Sequence, residues 1–292
     1  MPSTRDIRRR IKSVKNTAQI TNAMQMVAAS KMRRAQQAAL AGRPYAELMN
    51  KVLAEVSAGA GEFSHPLIQE GSGEKRALIV ISSDKGLCGG LNSNLLREAG
   101  KAPKDSTVFI SAGRKASQFL ARTKRDLAAE FSYKDAPEFS EARAISKMAQ
   151  DMFLKGEVSG VDVLFTNFIS TLVQKPEIKT FLPIGKIKGI EAGVEGKSSE
   201  KELEAGSAEF LFEPNPQDVF SNLLPHYLNF QMYQYLLESK ASEHSARMVA
   251  MKSATDNAQQ LIKDLTLEFN KLRQSMITNE LLEITSAAMA LG

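Results

Sequence analysis

The sequence predicts an antiparallel two-helix coiled coil of the N- and C-terminal helices, with a Rossmann-like α/β domain at its base. None of the 18 glycines and 10 prolines lies between Ser3 and Ala41 or between His226 and Leu291. The C-terminal stretch also has an apolar heptad repeat, and the middle alternates apolar runs with helical segments. We therefore expect an N-terminal coiled-coil helix over 1–57, an α/β domain over 75–213 and a C-terminal helix, foot then coil, over 214–292.

Both terminal helices have start signals. Ser3 followed by Asp6 resembles a capping box, and Asn215 followed by Pro216 marks the start of the second helix. Pro225 should kink this helix or split off a short first segment. At about 1.5 Å per residue the two uninterrupted stretches would span roughly 60 and 100 Å, so at least one helix should extend beyond a globular domain of this size.

The C-terminal helix carries a coiled-coil seam, in which apolar residues and one threonine follow alternating spacings of three and four. The seam residues are Met248, Met251, Thr255, Ala258, Ile262, Leu265, Phe269, Leu272 and Met276. Beyond them a new apolar row begins one position over, which predicts that the helix tip buries a different face. This row contains Ile277, Leu281, Ile284, Ala288 and Leu291.

The N-terminal helix carries a matching stripe whose register drifts. Its residues are Ile7, Ile11, Val14, Ala18, Ile20, Met24, Val27, Met32, Ala35 and Ala39. A two-stranded coil needs a second helix, and the other end of the same chain can supply it. Because the two ends would meet across the central domain, we expect them to pair in antiparallel orientation.

The central region alternates strands with helices, which predicts a largely parallel sheet. The apolar run Ala77–Ile81 is typical of a strand buried on both faces. Four glycines from Gly185 to Gly196, followed by a charged run from Ser198 to Glu204, predict an exposed loop at 185–206. Further strands are expected at Val108–Ile110, Val161–Ile169, Thr171–Phe181 and Glu209–Phe212, and helices at Arg114–Ala121 and 138–155.

Charge and composition exclude several classes of protein. The formal net charge is +5, but residues 1–44 hold ten basic residues against one acidic residue, so this end should face an acidic partner. No apolar run approaches the length of a transmembrane helix, and the N-terminus lacks the apolar stretch of a secretory signal. A single cysteine and three separated histidines favour neither disulfides nor a metal site, and we expect no cofactor.

The segment Asp84–Asn92 lies between a buried strand and a helix, where nucleotide-binding folds hold phosphate. Its glycine spacing matches neither of the usual phosphate-binding motifs. A tight turn and a protein contact made by Lys85 therefore stay open beside phosphate binding. Within this segment, Cys88 has no histidine near it in the sequence and is expected to be a small buried thiol.

Two clusters of charged residues each allow a functional and a structural interpretation. Glu280 and Glu283 share one helix face and could perform acid–base chemistry, but on a helix without a pocket they are expected to be surface groups. Lys31, Arg33 and Arg34 form a basic cluster that is either solvated or bound to an acidic protein.

The C-terminal tip has no charged side chain after Glu283. If the helix projects, its apolar side chains would be bare in water, which usually marks a binding site. A smooth row of small side chains suits a sleeve that surrounds the helix. Polar residues below the tip could hold the partner, namely Arg247, Gln274, Thr278, Glu280 and Glu283.

Three sequence motifs lie at the start, middle and end of the chain, and their combination is highly specific for one family. They are Ile20–Arg34, Ser83–Asn92, and Ser245–Lys252 with Ile277–Glu283. In this combination the chain resembles the gamma subunit of F-type ATP synthases, the central shaft of a rotary motor. The resemblance covers the whole chain.

The resemblance implies a central-stalk rotor subunit of a bacterial enzyme. Such a subunit transmits torque between the membrane c-ring and the catalytic ring of alpha and beta subunits, during ATP synthesis or hydrolysis coupled to proton transport. It is not itself catalytic. It lies beside the epsilon subunit on the cytoplasmic face of the inner membrane, as a peripheral protein without direct insertion.

The resemblance also implies two sets of contact residues. The foot on the c-ring and epsilon subunit would include Tyr227 and Gln231. Contacts with the catalytic subunits would be made by Met24, Lys31, Arg33, Arg34, Lys85, Arg247, Gln274, Thr278, Glu280 and Glu283.

Two other functions stay open from the residues alone. A nucleic-acid-binding scaffold could use residues 5–34 as a basic arm, although aromatic residues are not interleaved there. A Rossmann-type enzyme could use the central domain, although the dinucleotide-binding fingerprint is missing.

Overall fold

The computed structural model of the chain describes residues 3–59, 65–184 and 215–291. The predicted loop at 185–206 and the predicted strand at Glu209–Phe212 lie outside these residues. The described elements are α1 (Thr4–Ala41), α2 (Arg43–Gly59), β1 (Lys75–Ile81), α3 (Leu91–Lys101), β2 (Thr107–Ala112), α4 (Arg114–Arg122), β3 (Leu127–Phe131), α5 (Phe139–Leu154), β4 (Val158–Phe168), β5 (Gln174–Leu182) and α6 (Pro216–Leu291).

The chain divides into two compact units. Residues Met1–Ala28 and Met248–Gly292 form the first, which we call the coil unit. Residues Ala29–Arg247 form the second, which we call the sheet unit. Helix α6 contributes residues to both units and extends from Pro216 to Leu291.

The predicted caps of the terminal helices are confirmed. The Ser3 hydroxyl accepts a hydrogen bond from the Asp6 backbone N–H, and the Asn215 side-chain oxygen accepts one from the Asp218 N–H. Helix α6 runs through Pro225, so the predicted short first segment is not split off. Proline removes one backbone hydrogen bond, and the burial of α6 side chains beside Pro225 in the core offsets that loss.

The coil unit is an antiparallel pair, as predicted. The Thr21 and Thr255 hydroxyl oxygens lie 2.7 Å apart in a hydrogen bond. Further along, the Arg8 guanidinium lies over the Phe269 ring at 5.4 Å from its centroid. Lower residue numbers on α1 therefore meet higher numbers on α6, which defines the antiparallel orientation.

The seam predicted on α6 is confirmed over most of its length. Four seam residues are buried, namely Met251, Thr255, Ala258 and Leu265. The other seam residues from Met248 to Leu272 are half-buried. Met276 is exposed, so the seam ends before it.

The predicted drift of the α1 stripe is wrong. Ile20 is 60% exposed and Val27 is also exposed, whereas Thr21 is half-buried and Ala28 is buried. The regular spacing that begins at Ile7 continues through Thr21, because its hydroxyl is satisfied by the Thr17 and Ala18 carbonyls and by Thr255. A polar residue with its hydrogen bonds made can thus occupy a seam position.

The apolar row predicted at the α6 tip is not buried within this chain, and its burial against a partner stays a prediction. Ile277, Leu281, Ile284 and Met289 are exposed in this chain. Because Arg8 lies opposite Phe269 and α1 begins at Thr4, α1 reaches only about one turn beyond Phe269. The tip of α6 therefore has no helix of this unit to pack against.

The sheet unit contains a five-stranded sheet in the order β3-β2-β1-β4-β5. The first four strands are parallel and β5 is antiparallel to β4, which confirms the largely parallel sheet. Strand β3 was not predicted, because its sequence Leu-Ala-Ala-Glu-Phe is short and its alanines and glutamate are poor strand formers.

Both faces of the sheet are covered by helices. Leu95 and Ala99 of α3 and Leu120 of α4 pack on one face. Side chains of α2, α5 and the first half of α6 pack on the other, including Leu53, Ile145 and Leu228. This arrangement explains why β1 and β2 are apolar on both sides.

The helix predicted over residues 1–57 is divided at Gly42. A Cβ atom at Gly42 would overlap the side-chain nitrogen of Gln234, so α6 approaches closely here and a larger residue would force that side chain to shift. After this break, Met49 and Leu53 of α2 enter the core of the sheet unit.

We expect Leu265→Asp to destabilise the coil unit by about 3 kcal/mol, because it places a carboxylate in the seam without a partner. Leu267→Asp is the matched control, since Leu267 is 70% exposed and Leu265 only 5%. The control should change stability by no more than about 0.5 kcal/mol. Hydrogen exchange of α1 and α6 amides in the full chain measures this opening, and equal effects of the two variants would contradict the seam.

Candidate functional site

Helix α6 crosses the carboxyl edge of the sheet. The Ser242 hydroxyl donates to the Thr166 carbonyl of β4 at 2.9 Å, and the Ser245 hydroxyl donates to the Thr171 carbonyl at 2.8 Å. On the other side, Arg247 donates to the Gly86 carbonyl in the loop after β1 at 3.1 Å. The strand order reverses between β1 and β4, and open α/β sheets usually bind ligands at such a point. Here side chains of α6 fill that crevice.

The loop Ser83–Asn92, which we call the glycine loop, is held by its own side chains. The Ser83 hydroxyl donates to the Lys85 carbonyl and accepts from the Asn92 amide, each at 2.8 Å. The Asn92 amide also lies 3.1 Å from the Cys88 sulfur. Cys88 is buried, which confirms the interpretation as a structural thiol.

A chain of five alternating charges links this loop to α1 and to the loop after β3. We call it the charge chain, and it consists of Lys31, Asp135, Lys240, Glu243 and Arg247. Lys31 pairs with Asp135, which lies 3.7 Å from the Lys240 ammonium. Glu243 accepts from Lys240 at 3.1 Å and from Arg247 at 2.8 Å. Paired in this way, charged groups can be buried at a tolerable free-energy cost.

Lys240 is the most deeply buried member of the charge chain, with 1% exposure. Its ammonium lies 4.5 Å from the centroid of the Tyr133 ring, and the Tyr133 hydroxyl donates to the Ser82 carbonyl at 3.0 Å. Burial raises the pKa of Tyr133 well above its ordinary value, and the Glu243 carboxylate raises it further. The Lys31 hydrogen bond lowers the pKa of Asp135 below its ordinary value.

His244 lies inside the same turn of α6. Its Nδ1 atom is 3.5 Å from the Arg247 guanidinium, and its buried Nε2 atom makes no hydrogen bond within the described part of the chain. Burial lowers the pKa of His244 to about 4; Glu243 and Asp135 oppose this shift, while Lys240 and Arg247 add to it. The imidazole is therefore neutral at pH 7.

The structure distributes the predicted contact residues between the two units. Lys31 and Arg247 form the ends of the charge chain, and Arg247 also binds the backbone of Lys85, whose own side chain is exposed. Arg33 and Arg34 are exposed in the sheet unit. In the coil unit Met24 is half-buried, and the exposed members are Gln274, Thr278, Glu280 and Glu283.

The two residues predicted for the foot differ in how much of each is exposed to solvent. Tyr227 is buried in the core of the sheet unit, and burial raises its pKa. Gln231, one turn further along α6, is half-buried.

Sequence reasoning missed the inner members of the charge chain. Lys240, Glu243 and Arg247 are spaced three and four residues apart, which brings them together on one helix face. That spacing was available as a signal, but such pairs usually lie on solvated surfaces. Only the fold reveals that Asp135, from a distant loop, and the ring of Tyr133 close over this face.

Neither a metal site nor a membrane span is seen in the described part of the chain. No group of three or more His, Cys, Asp or Glu residues there could hold a metal ion. Among the helices described, none is long and apolar enough to cross a membrane.

Comparisons with known proteins place the chain in a family. A family model described as ATP synthase matches residues 3–291. A relative from Opitutus terrae is 48% identical over 99% of both chains, and one from Methylacidiphilum infernorum is 43% identical over the whole of both. Both are named ATP synthase gamma chain. The chain belongs to this family. The resemblance seen in the sequence is thereby confirmed, and the nucleic-acid-binding alternative gains no support from these relatives.

Solved structures of this family's fold agree with the architecture. A chain of the Euglena gracilis mitochondrial ATP synthase, solved with OSCP, F1 and c-ring, has a TM-score of 0.69 at 18% identity and covers 99% of this chain and 94% of that one. A chain of the Tetrahymena thermophila mitochondrial central stalk and c-ring has a TM-score of 0.60 at 24% identity and covers 80% of this chain and 99% of that one. At these identities the likeness supports the fold, and it confirms the predicted fold class.

We expect the stability of the chain to fall as pH decreases from about 6.5 to about 4, by roughly 3 kcal/mol. Unfolded His244 binds a proton at its ordinary pKa of 6.5, whereas the folded form does so only near 4. Urea denaturation at each pH measures this loss. His244→Gln should flatten the decline, whereas His226→Gln, which keeps His244, should retain it. An unchanged decline in His244→Gln would contradict the assignment.

Proposed function

We propose that the chain is the central-stalk rotor subunit of a bacterial F-type ATP synthase. In this role it transmits torque between a membrane c-ring and a catalytic ring of alpha and beta subunits, in ATP synthesis or hydrolysis coupled to proton transport. The match to ATP synthase gamma chains over the full length carries this conclusion. The antiparallel coil gives the proposed shaft a physical basis.

The coil can act on catalytic subunits because its faces differ. A partner shifts a conformational equilibrium only if it contacts the two states differently. Basic side chains such as Arg9 and Lys12 are exposed on α1, whereas Glu280 and Glu283 are exposed on α6. Turning such a coil presents each catalytic subunit with a different surface in succession, so nucleotide affinity changes in succession too.

We propose that the chain performs no chemistry itself. Its relatives are named as one chain of an ATP synthase, which supports a role as a component of that complex. Glu280 and Glu283 are both exposed, as expected for surface groups. The crevice at the carboxyl edge of the sheet is filled by α6, which supports a structural interpretation of the glycine loop.

We propose the alpha, beta and epsilon subunits and the c-ring as partners, and a peripheral position on the cytoplasmic face of the inner membrane. Exposure of most members supports a contact set for the catalytic subunits made of Met24, Lys31, Arg33, Arg34, Lys85, Gln274, Thr278, Glu280 and Glu283, from which the inward-facing Arg247 is left out. Tyr227 and Gln231 are proposed for the foot. The corresponding division of the chain is 1–57, 75–213 and 214–292.

Rotation in an assembled complex tests this proposal. A Lys104→Cys variant, assembled with the alpha and beta subunits of the same organism, allows a probe to be attached. Lys104 is exposed in the loop before β2, at the opposite edge of the sheet from the glycine loop, and labelling is selective because Cys88 is buried. We expect the probe to turn in one direction when ATP is added. A probe that stays still while the complex hydrolyses ATP would contradict the proposal.

The same assembly shows whether torque passes through the seam. Leu265→Asp should uncouple hydrolysis from rotation, and in the membrane-bound enzyme it should uncouple proton flow from synthesis. The exposed control Leu267→Asp should retain coupling, because a surface substitution leaves the seam packed. Full coupling in Leu265→Asp would count against a shaft whose rigidity depends on this seam.

A further inference from the structure

Arg247 faces the interior of the sheet unit, although it was predicted to be a partner contact. Its side chain is 12% exposed. One terminal nitrogen pairs with Glu243 at 2.8 Å, and the other donates to the Gly86 carbonyl at 3.1 Å and the Lys85 carbonyl at 3.3 Å. The remaining nitrogen, Nε, lies 3.4 Å from the Gly86 carbonyl. All three nitrogens of the guanidinium are thus engaged within the protein.

The residue that follows these two carbonyls has an unusual backbone. Leu87 has a φ of 63°, in the left-handed region that favours glycine, and its side chain is 62% exposed. Lys85, two residues earlier, is also exposed. A branched residue keeps such a conformation only where its surroundings fix it, and such positions concentrate at binding sites.

The groups that hold the backbone before Leu87 can be identified. The Ser83 hydroxyl and Arg247 both donate to the Lys85 carbonyl, and Arg247 also binds the next carbonyl, that of Gly86. Two successive peptide units before Leu87 are therefore held from the interior. This leaves the side chains of Lys85 and Leu87 directed away from the groups that hold their backbone.

The orientation of Arg247 is fixed in turn by the charge chain. Glu243 is buried and binds Arg247 with one oxygen and Lys240 with the other. Lys240 is itself held by Asp135 and by the ring of Tyr133. A carboxylate bound at both oxygens cannot turn without breaking an ion pair, so it presents the guanidinium to the glycine loop in one geometry.

We propose that Arg247 is a positioning residue for the glycine loop rather than a partner contact. Oriented by Glu243, it fixes the Lys85 and Gly86 carbonyls and so presents Lys85 and Leu87 as one composite contact. An exposed ammonium beside an exposed apolar side chain suits a surface of a catalytic-ring subunit that has a carboxylate next to an apolar patch. We call the hold of Arg247 on the Lys85 and Gly86 carbonyls the clamp. The clamp is inferred from the geometry alone, whereas the identity of the partner rests on the proposed function.

The clamp is tested in the free full-length chain by hydrogen exchange. Arg247→Gln should raise the exchange rates of the amides of Ser83 and Leu91, which donate to the Asn92 side chain and the Cys88 carbonyl, by about tenfold or more, because the charge-assisted bonds that hold the loop are lost. Glu243 keeps its partner Lys240 in this variant, so the chain should remain folded. Arg247→Lys, which offers donors from a single nitrogen, should give an intermediate rate. Lys147→Gln, an exposed charge removal on α5, should leave these amides unchanged.

The partner contact is tested in the assembled complex by a double-mutant cycle. Arg247→Gln and Leu87→Ala should each lower the torque or coupling ratio, and the double variant should be no worse than the poorer single variant. This result is expected if Arg247 acts only through the loop tip. A double variant whose loss equals the product of the two single losses would overturn the positioning role, because Arg247 would then act through a separate contact.

The remaining outcomes separate the clamp from the proposed function. Unchanged exchange of the Ser83 and Leu91 amides in Arg247→Gln overturns the clamp. Faster exchange combined with full coupling in both single variants overturns the contact at the loop tip and leaves the clamp. Failure of the unmodified chain to rotate within the catalytic ring contradicts the proposed function itself, and the exchange result is independent of that failure.

Discussion

The seam between α1 and α6 is the interaction on which the rest of this account depends. Each helix alone would expose a long apolar stripe to water, and pairing removes both stripes at once. The polar pair Thr21–Thr255 lies within this apolar seam, and the hydrogen bond between its two hydroxyls forms only when the two helices meet in one register. Register and burial therefore reinforce each other, and a stiff coil follows from them. The exposed apolar tip beyond Leu272 is what remains when α1 ends and α6 continues.

A second constraint is the placement of buried charge on the same helix. The segment Lys240–Arg247 carries three charges and a neutral histidine into the sheet unit, yet each charge has an oppositely charged partner. Hydrophobic residues could have filled this crevice at lower desolvation cost. Ion pairs and hydrogen bonds to carbonyls specify geometry instead, because they fix the orientation of the groups they join. In this protein they fix the glycine loop after β1 and the loop after β3 against a single turn of α6.

Sequence reasoning predicts elements whose pattern is local and misses contacts that the fold creates. The seam from Met251 to Leu272, the strand β1 and both helix caps follow from spacing, burial preference and capping chemistry. Ile20 and Val27 were placed in the seam because they are apolar, whereas the satisfied hydroxyl of Thr21 takes that position. Arg247 was predicted from the family resemblance to be a partner contact. That its guanidinium faces Glu243 and the Gly86 carbonyl could not be read from the sequence, since these groups meet only after β1 and α6 have packed.

The central claim is that α1 and α6 turn as one body. Joining Thr21→Cys to Thr255→Cys by a short cross-link tests it most directly, because the two hydroxyl oxygens they replace are 2.7 Å apart. The measurement is ATP-driven rotation of the assembled complex before and after cross-linking, with reduction of the link as the control. The account predicts that rotation and torque stay unchanged, since the helices do not move past one another. Rotation that stops on cross-linking and returns on reduction would contradict it.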